Sequence, residues 1–130
     1  MDLPPVLNYF SQNREDLYLL GLLHREEKGF YVDVGCFQET LHSVTKLFYN
    51  LGWSGINIDA NNKFKDEYLK NRPRDKFLNC GVSDKPGEFT FRDYYFHDGL
   101  STFSSGIQSI HQSENLPYKD YLVECKTLEQ

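Results

Sequence analysis

Two short apolar runs joined by a helical crossover constrain this chain more than any other feature. Phe30 Tyr31 Val32 Asp33 Val34 is followed by Gly35, and Ile56 Asn57 Ile58 is followed by Asp59, so each run stops at a small or acidic residue. Parallel strands read this way where their carboxyl ends open onto a ligand crevice. The crossover, roughly 43–49, carries Val44, Leu47 and Phe48 at helical spacing, and Leu51 Gly52 Trp53 marks its stop. The stretch 29–59 therefore predicts a β-α-β unit, the first half of a doubly wound nucleotide-binding sheet.

The flanking segments fit such a sheet. Residues 1–10, with Pro4 and Pro5, read as an arm, and Ser11 or Asn13 can cap a helix in which Asn13 and Asp16 have capping-box spacing. Glu15 and Asp16 make its first turn negative and turn it toward the site, Leu17, Leu20, Leu23 and His24 share one side, and Gly29 closes it. Residues 61–71 predict an amphipathic helix through Phe64, Tyr68 and Leu69, stopped by Pro73. Residues 76–82 predict a third strand whose end, Asn79 Cys80 Gly81, meets the ligand. Beyond a turn at 84–87, the alternation Glu88 to Arg92 predicts an antiparallel or edge strand. Residues 97–106 read as a functional loop or a lid, and 121–126 as a last strand. Thr127 to Gln130 reads as the first turn of a helix, an ending that points to truncation.

A chain of 130 residues with 39% apolar content predicts a single domain around one core. A net charge of −5 argues against a nucleic-acid partner, which needs a basic footprint that releases counterions. The one basic concentration, Arg72 Pro73 Arg74 Asp75 Lys76, reads as a solvated loop in preference to a ligand-facing patch. Three cysteines, Cys36, Cys80 and Cys125, without a CxxC pair predict neither a disulfide framework nor a metal site. Without a signal segment or an apolar window of spanning length, the expectation is a cytoplasmic protein with no membrane partner.

Asp59, at the end of the second strand, is the candidate to accept hydrogen bonds from a ribose diol, with a turn or cap for helix 61–71 as the structural alternative. A dinucleotide pyrophosphate wants a G-x-G-x-x-G turn, whereas Gly35 Cys36 Phe37 Gln38 Glu39 Thr40 has one glycine and sets Glu39 beside the would-be phosphate. That disfavours nicotinamide and flavin dinucleotides. It favours a cofactor with ribose and adenine, a cationic head and no phosphate, which S-adenosyl-L-methionine satisfies. Asp33 orients the loop or meets the methionine portion, with a structural role equally open. Gly35 and Cys36 offer close backbone contact, and Asn79, Cys80, Gly81 and Val82 lie on the adenine side. Cys36 and Cys80 also read as ordinary buried thiols. No catalytic dyad is legible; His42 and His97 border the site as candidate bases or as surface residues, and His24 and His111 read as helix or surface.

Ser11 Gln12 Asn13 Arg14 Glu15 Asp16 Leu17, Gly29 to Gly35, His42 Ser43 Val44 Thr45, Gly52 to Asp59, Asn71 to Asp75, Asn79 to Asp84 and Gly99 Leu100 Ser101 Thr102 occur in order over nearly the whole chain. Together they resemble the FkbM family of S-adenosylmethionine-dependent methyltransferases. The resemblance implies a Rossmann-like class I methyltransferase fold. Here that means an α/β chain with an incomplete doubly wound sheet and an antiparallel edge, residues 1–130 forming one such domain truncated at its carboxyl end. It implies O-methylation of a hydroxyl on a sugar or secondary metabolite, hence a small-molecule or glycan substrate, and leaves homo-oligomerisation open. It assigns Asp33 and Gly35 to the cofactor loop, Asp59 to the ribose, residues 79–82 to adenine, and Gln12, Glu15 and Asp16 to the pocket mouth. Cys36 to Glu39 depart from the small or polar residues common in that family, and its usual further elements would follow Gln130. The alternative is a non-catalytic Rossmann-like binding or scaffold domain.

Overall fold

The structure, a computed structural model, describes residues 8–23, 27–94, 101, 103–104 and 117–129. Its chain contacts divide into two compact units, Met1–Asn79 and Cys80–Gln130. The architecture is mixed α/β, with a parallel three-stranded sheet in the first unit and a small mixed sheet in the second.

In the first unit, helix α1 (Glu15–Leu23) precedes β1 (Phe30–Val34), α2 (Lys46–Asn50), β2 (Ser54–Asp59), a single 3-10 turn (Asn62–Phe64), α3 (Lys65–Asn71) and β3 (Lys76–Asn79). The strands run parallel in the order β1-β2-β3, with Val32 opposite Ile56 and Ile58 opposite Leu78. Strand residues alternate between faces. Tyr31, Asp33, Asn57 and Phe77 take the face toward the helices, where Leu20, Leu47, Phe48 and Trp53 make one core cluster and Cys36, Phe64 and Tyr68 another. Phe48 and Trp53 meet at 5.0 Å between ring centroids, and a Cβ on Gly29 would lie 2.3 Å from the Trp53 ring, so any side chain at the entry to β1 must displace that ring. On the opposite face Phe30, Val32, Val34 and Leu78 are 63%, 51%, 50% and 42% exposed.

The entry to α1 differs from the capping box expected of Asn13 and Asp16. Ser11 is the partner: its Oγ donates to Asp16 Oδ1 (2.5 Å), and the Asp16 N–H donates back to that Oγ (3.3 Å). The N–H groups of Phe10 and Ser11 also reach Asp16 Oδ2, so the carboxylate is fully buried and faces no pocket mouth. Glu15 instead accepts from the Asn13 N–H at the surface.

The single third strand expected over 76–82 is two strands. β3 ends at Asn79, whose side-chain amide donates to the carbonyls of Asp59 and Ala60 just as β2 stops offering a ladder. Residues Gly81–Val82 form β4, which belongs to the other sheet. There β6 (Lys119–Lys126) lies between β4, in parallel, and β5 (Gly87–Asp93), antiparallel, with Gly87 opposite Cys125 and Asp93 opposite Lys119. Phe91 packs on Phe103 and Tyr121, and Val123 and Cys125 are buried. Among the described residues no helix is long and apolar enough to cross a membrane. His24, His97, His111, Gly99, Leu100 and Thr102, and most of the 97–106 loop, lie outside the described residues.

Candidate functional site at the ends of β1 and β2

The loop leaving β1 turns sharply onto β2. Gly35 has φ +69°, with nothing near where a Cβ would stand, and Phe37 follows at φ +58°. The N–H groups of Gly35 and Cys36 both donate to the Ile58 carbonyl (2.8 and 3.0 Å), and the Phe37 N–H donates to Asp59 Oδ2 (2.9 Å). Three successive donors therefore serve β2. A pyrophosphate cradle needs such donors directed at the ligand, so this loop is built for another purpose.

Asp59 is the junction of the corner. Its Oδ1 accepts from the Asn61 N–H (2.8 Å), its Oδ2 accepts from Phe37, and its backbone carbonyl accepts from Asn79 (3.1 Å). Both carboxylate oxygens of Asp59 therefore tie the loop after β1 to the turn after β2. Asn61 Oδ1 caps the 3-10 turn at the Lys63 N–H (3.1 Å), while the buried Asn61 Nδ2 has no hydrogen-bond partner among the described residues.

Cys36 is core material. Its thiol packs with Phe64 and Tyr68, burial pushes its pKa up, and its carbonyl accepts from Tyr68 Oη (3.1 Å). Asp33 lies beneath α2, where Thr45 Oγ1 donates to its Oδ2 (2.8 Å). Burial raises the Asp33 pKa, against the opposing pull of the Thr45 hydrogen bond and the Arg72 charge.

Arg72 is the residue that reading the sequence missed. The expected solvated loop is an internal fastening instead, because Arg72 has 0% exposure. Its Nε donates to Glu39 Oε1 (3.1 Å), Nη1 to Thr45 Oγ1 (2.8 Å), and Nη2 to the Glu39 carbonyl (2.6 Å) and Ser43 Oγ (2.9 Å). Asp75 stands 3.7 Å from Nη1 and accepts from Tyr31 Oη, from the Gly55 N–H and from Asn57 Nδ2. Arg74 donates to the carbonyls of Tyr49 and Trp53. Glu39 is also placed differently from expectation: rather than facing a phosphate, its buried carboxylate meets Arg72, Lys46 and Thr40. Burial alone would raise its pKa, but those three hydrogen bonds hold it below the ordinary carboxylate value. The available signal was Asp33, an acid at an inward position of an apolar strand, which requires a buried donor somewhere in the fold.

No protein-family model, curated protein or solved structure matched this chain in comparison.

Of the residues singled out from sequence, Asp33, Gly35, Cys36, Asp59 and Asn79 fall in the first unit, at or beside the carboxyl ends of its strands. Cys80, Gly81 and Val82 fall in the second, where Cys80 is buried, Gly81 pairs with Cys125 and Val82 pairs with Lys126. His42 is exposed at φ +60°, its ring stacked on Phe37. Among the described residues no group of three or more His, Cys, Asp or Glu is arranged to hold a metal ion. An open depression in the second unit, lined by Pro86, Gly87, Glu88, Glu124, Cys125 and Lys126, contains none of the expected site residues.

Proposed function

We propose that the corner formed by Gly35 to Phe37 and Asp59 binds S-adenosyl-L-methionine, and that the protein is an O-methyltransferase of the class I, FkbM-like kind. The observation that carries this reading is the Asp59 carboxylate, held at the end of β2 by the Phe37 N–H of the loop that follows β1. A ribose diol is a pair of donors in search of such an acceptor. The engagement of the Gly35, Cys36 and Phe37 donors by β2 supports a cofactor without phosphate. In the reaction a hydroxyl oxygen attacks the methyl carbon as the bond to the sulfonium sulfur breaks in line, and the hydroxyl proton passes to a base or to water. The acceptor class, a sugar or secondary-metabolite hydroxyl, comes from the sequence resemblance.

A binding domain without catalysis is the second reading. It is favoured by Asp59, whose two carboxylate oxygens serve the fold by accepting from the Phe37 and Asn61 N–H groups. Calorimetry separates these readings from a dinucleotide enzyme. S-Adenosylhomocysteine is expected to bind the folded protein and NAD is not, and Asp59→Ala is expected to weaken binding at least about tenfold, as loss of a charge-assisted pair of hydrogen bonds requires. Absence of binding to folded protein would remove the cofactor assignment. Methyl transfer to a hydroxyl acceptor would then divide enzyme from binding domain.

A further inference from the structure

The loop between β1 and α2 holds Gly35, Phe37 and His42 at positive φ. Glycine adopts this conformation without steric cost, whereas Phe37 and His42 set a Cβ against the following carbonyl. Residues held in this way persist only where their surroundings over-determine them. Phe37 is fixed by Asp59 at its N–H and by the Phe64 ring at 5.2 Å. His42 is exposed, so its conformation must be imposed through its neighbours. The Ser43 N–H donates to the Thr40 carbonyl (3.2 Å) and Tyr68 Oη to the Gln38 carbonyl (3.2 Å), and one nitrogen spans the turn from the inside: Arg72 Nη2 donates both to the Glu39 carbonyl and to Ser43 Oγ. Arg72 Nη1 extends the fastening to Thr45, which in turn binds Asp33 on β1.

We propose that Arg72 is the positioning residue of the cofactor loop. From the end of α3 it holds residues 39–43 closed and so keeps the Phe37 N–H on Asp59 before any ligand arrives. The inference rests on the cofactor reading above, and it names a residue that sets affinity without touching the ligand. If the loop is closed only one-tenth of the time, apparent affinity falls about tenfold at unchanged intrinsic affinity.

Arg72→Lys keeps the charge but cannot reproduce a planar fork that reaches several acceptors at once. Hydrogen exchange of the ligand-free variant is expected to rise about tenfold in peptides covering 36–43 and by less in β1, β2 and α2, where the side chains of Tyr31, Asn57 and the N-cap Thr45 accept from Nη1. S-Adenosylhomocysteine affinity falls in step. Adding His42→Gly removes the steric cost of the left-handed turn and is expected to recover part of both losses, a rescue that a merely structural role for Arg72 does not give. Unchanged exchange in 36–43, or an equal rise throughout the unit, overturns the proposal. If Arg72→Lys does not fold, Ser43→Ala, which removes one acceptor of Nη2 together with the Oγ that accepts from the Lys46 N–H at the start of α2, must raise exchange in 36–43 by more than in α2. A wild-type protein whose loop responds in this way but which binds no S-adenosylhomocysteine keeps Arg72 as the positioning residue and discards the cofactor.

Discussion

A guanidinium shut away from solvent has to find its acceptors inside the protein, and Arg72 finds them on Glu39, Ser43 and Thr45, with Asp75 beside it. Such a centre is costly to break, because removing one partner leaves the others buried and uncompensated. It also ties stability to pH in two opposed ways. The pKa of Glu39 lies below its ordinary 4.5 in the folded protein, so its contribution to stability is present above that value and is lost as pH falls through the lower folded-state value. The pKa of Asp33 lies above its ordinary 3.8, so its ionised form costs stability, and that cost disappears as acid protonates it. Chemical denaturation between pH 7 and pH 3 is therefore expected to show Glu39→Gln losing part of the wild-type fall in stability below pH 4.5, while Asp33→Asn falls more steeply than wild type. Parallel curves for all three proteins would mean that neither carboxylate titrates differently on folding.

Among the elements, the loop from Gly35 to Ser43 and the entry to β1 show two distinct demands for glycine. Gly35 needs backbone freedom: at φ +69° an alanine meets no atom within 4 Å, so the cost of Gly35→Ala is the left-handed conformation alone, about 1–2 kcal/mol. Gly29 needs space, since a methyl group would enter the Trp53 ring and displace a core aromatic; Gly29→Ala is expected to exceed Gly35→Ala in urea denaturation. No loss from Gly29→Ala would show that Trp53 yields without cost. The two positions also mark what could be read in advance. The bounds of β1, and the helix after Asn61, followed from an apolar run and from the spacing of Phe64, Tyr68 and Leu69 before Pro73, signals that act locally. The division of the third strand at Cys80 and the inward turn of Glu39 depend on partners distant in sequence. Arg72 is the clearest case: its five-residue neighbourhood is as polar as any surface loop, and its acceptors on Thr45, Ser43 and Glu39 lie 27, 29 and 33 residues away.

At the scale of the whole molecule, the α/β class and the parallel strands were legible because alternating strand and helix patterns leave few other arrangements. The one-sided core was not, because the apolar residues of β1 look alike whichever face they take. Parallel sheets are ordinarily covered on both faces, and in the first unit the helices occupy one. Leu47, on the covered side, is 3% exposed, whereas Val32, on the other, is half exposed. Leu47→Ala should therefore cost about 2–5 kcal/mol in urea denaturation, the lost transfer energy together with a cavity. Val32→Thr keeps the β-branched shape that suits a strand and places its hydroxyl where water reaches it, so its cost should stay within about 0.5 kcal/mol. A loss from Val32→Thr that approached that from Leu47→Ala would mean the open face is buried in solution, since only a dry site makes a single hydroxyl so expensive.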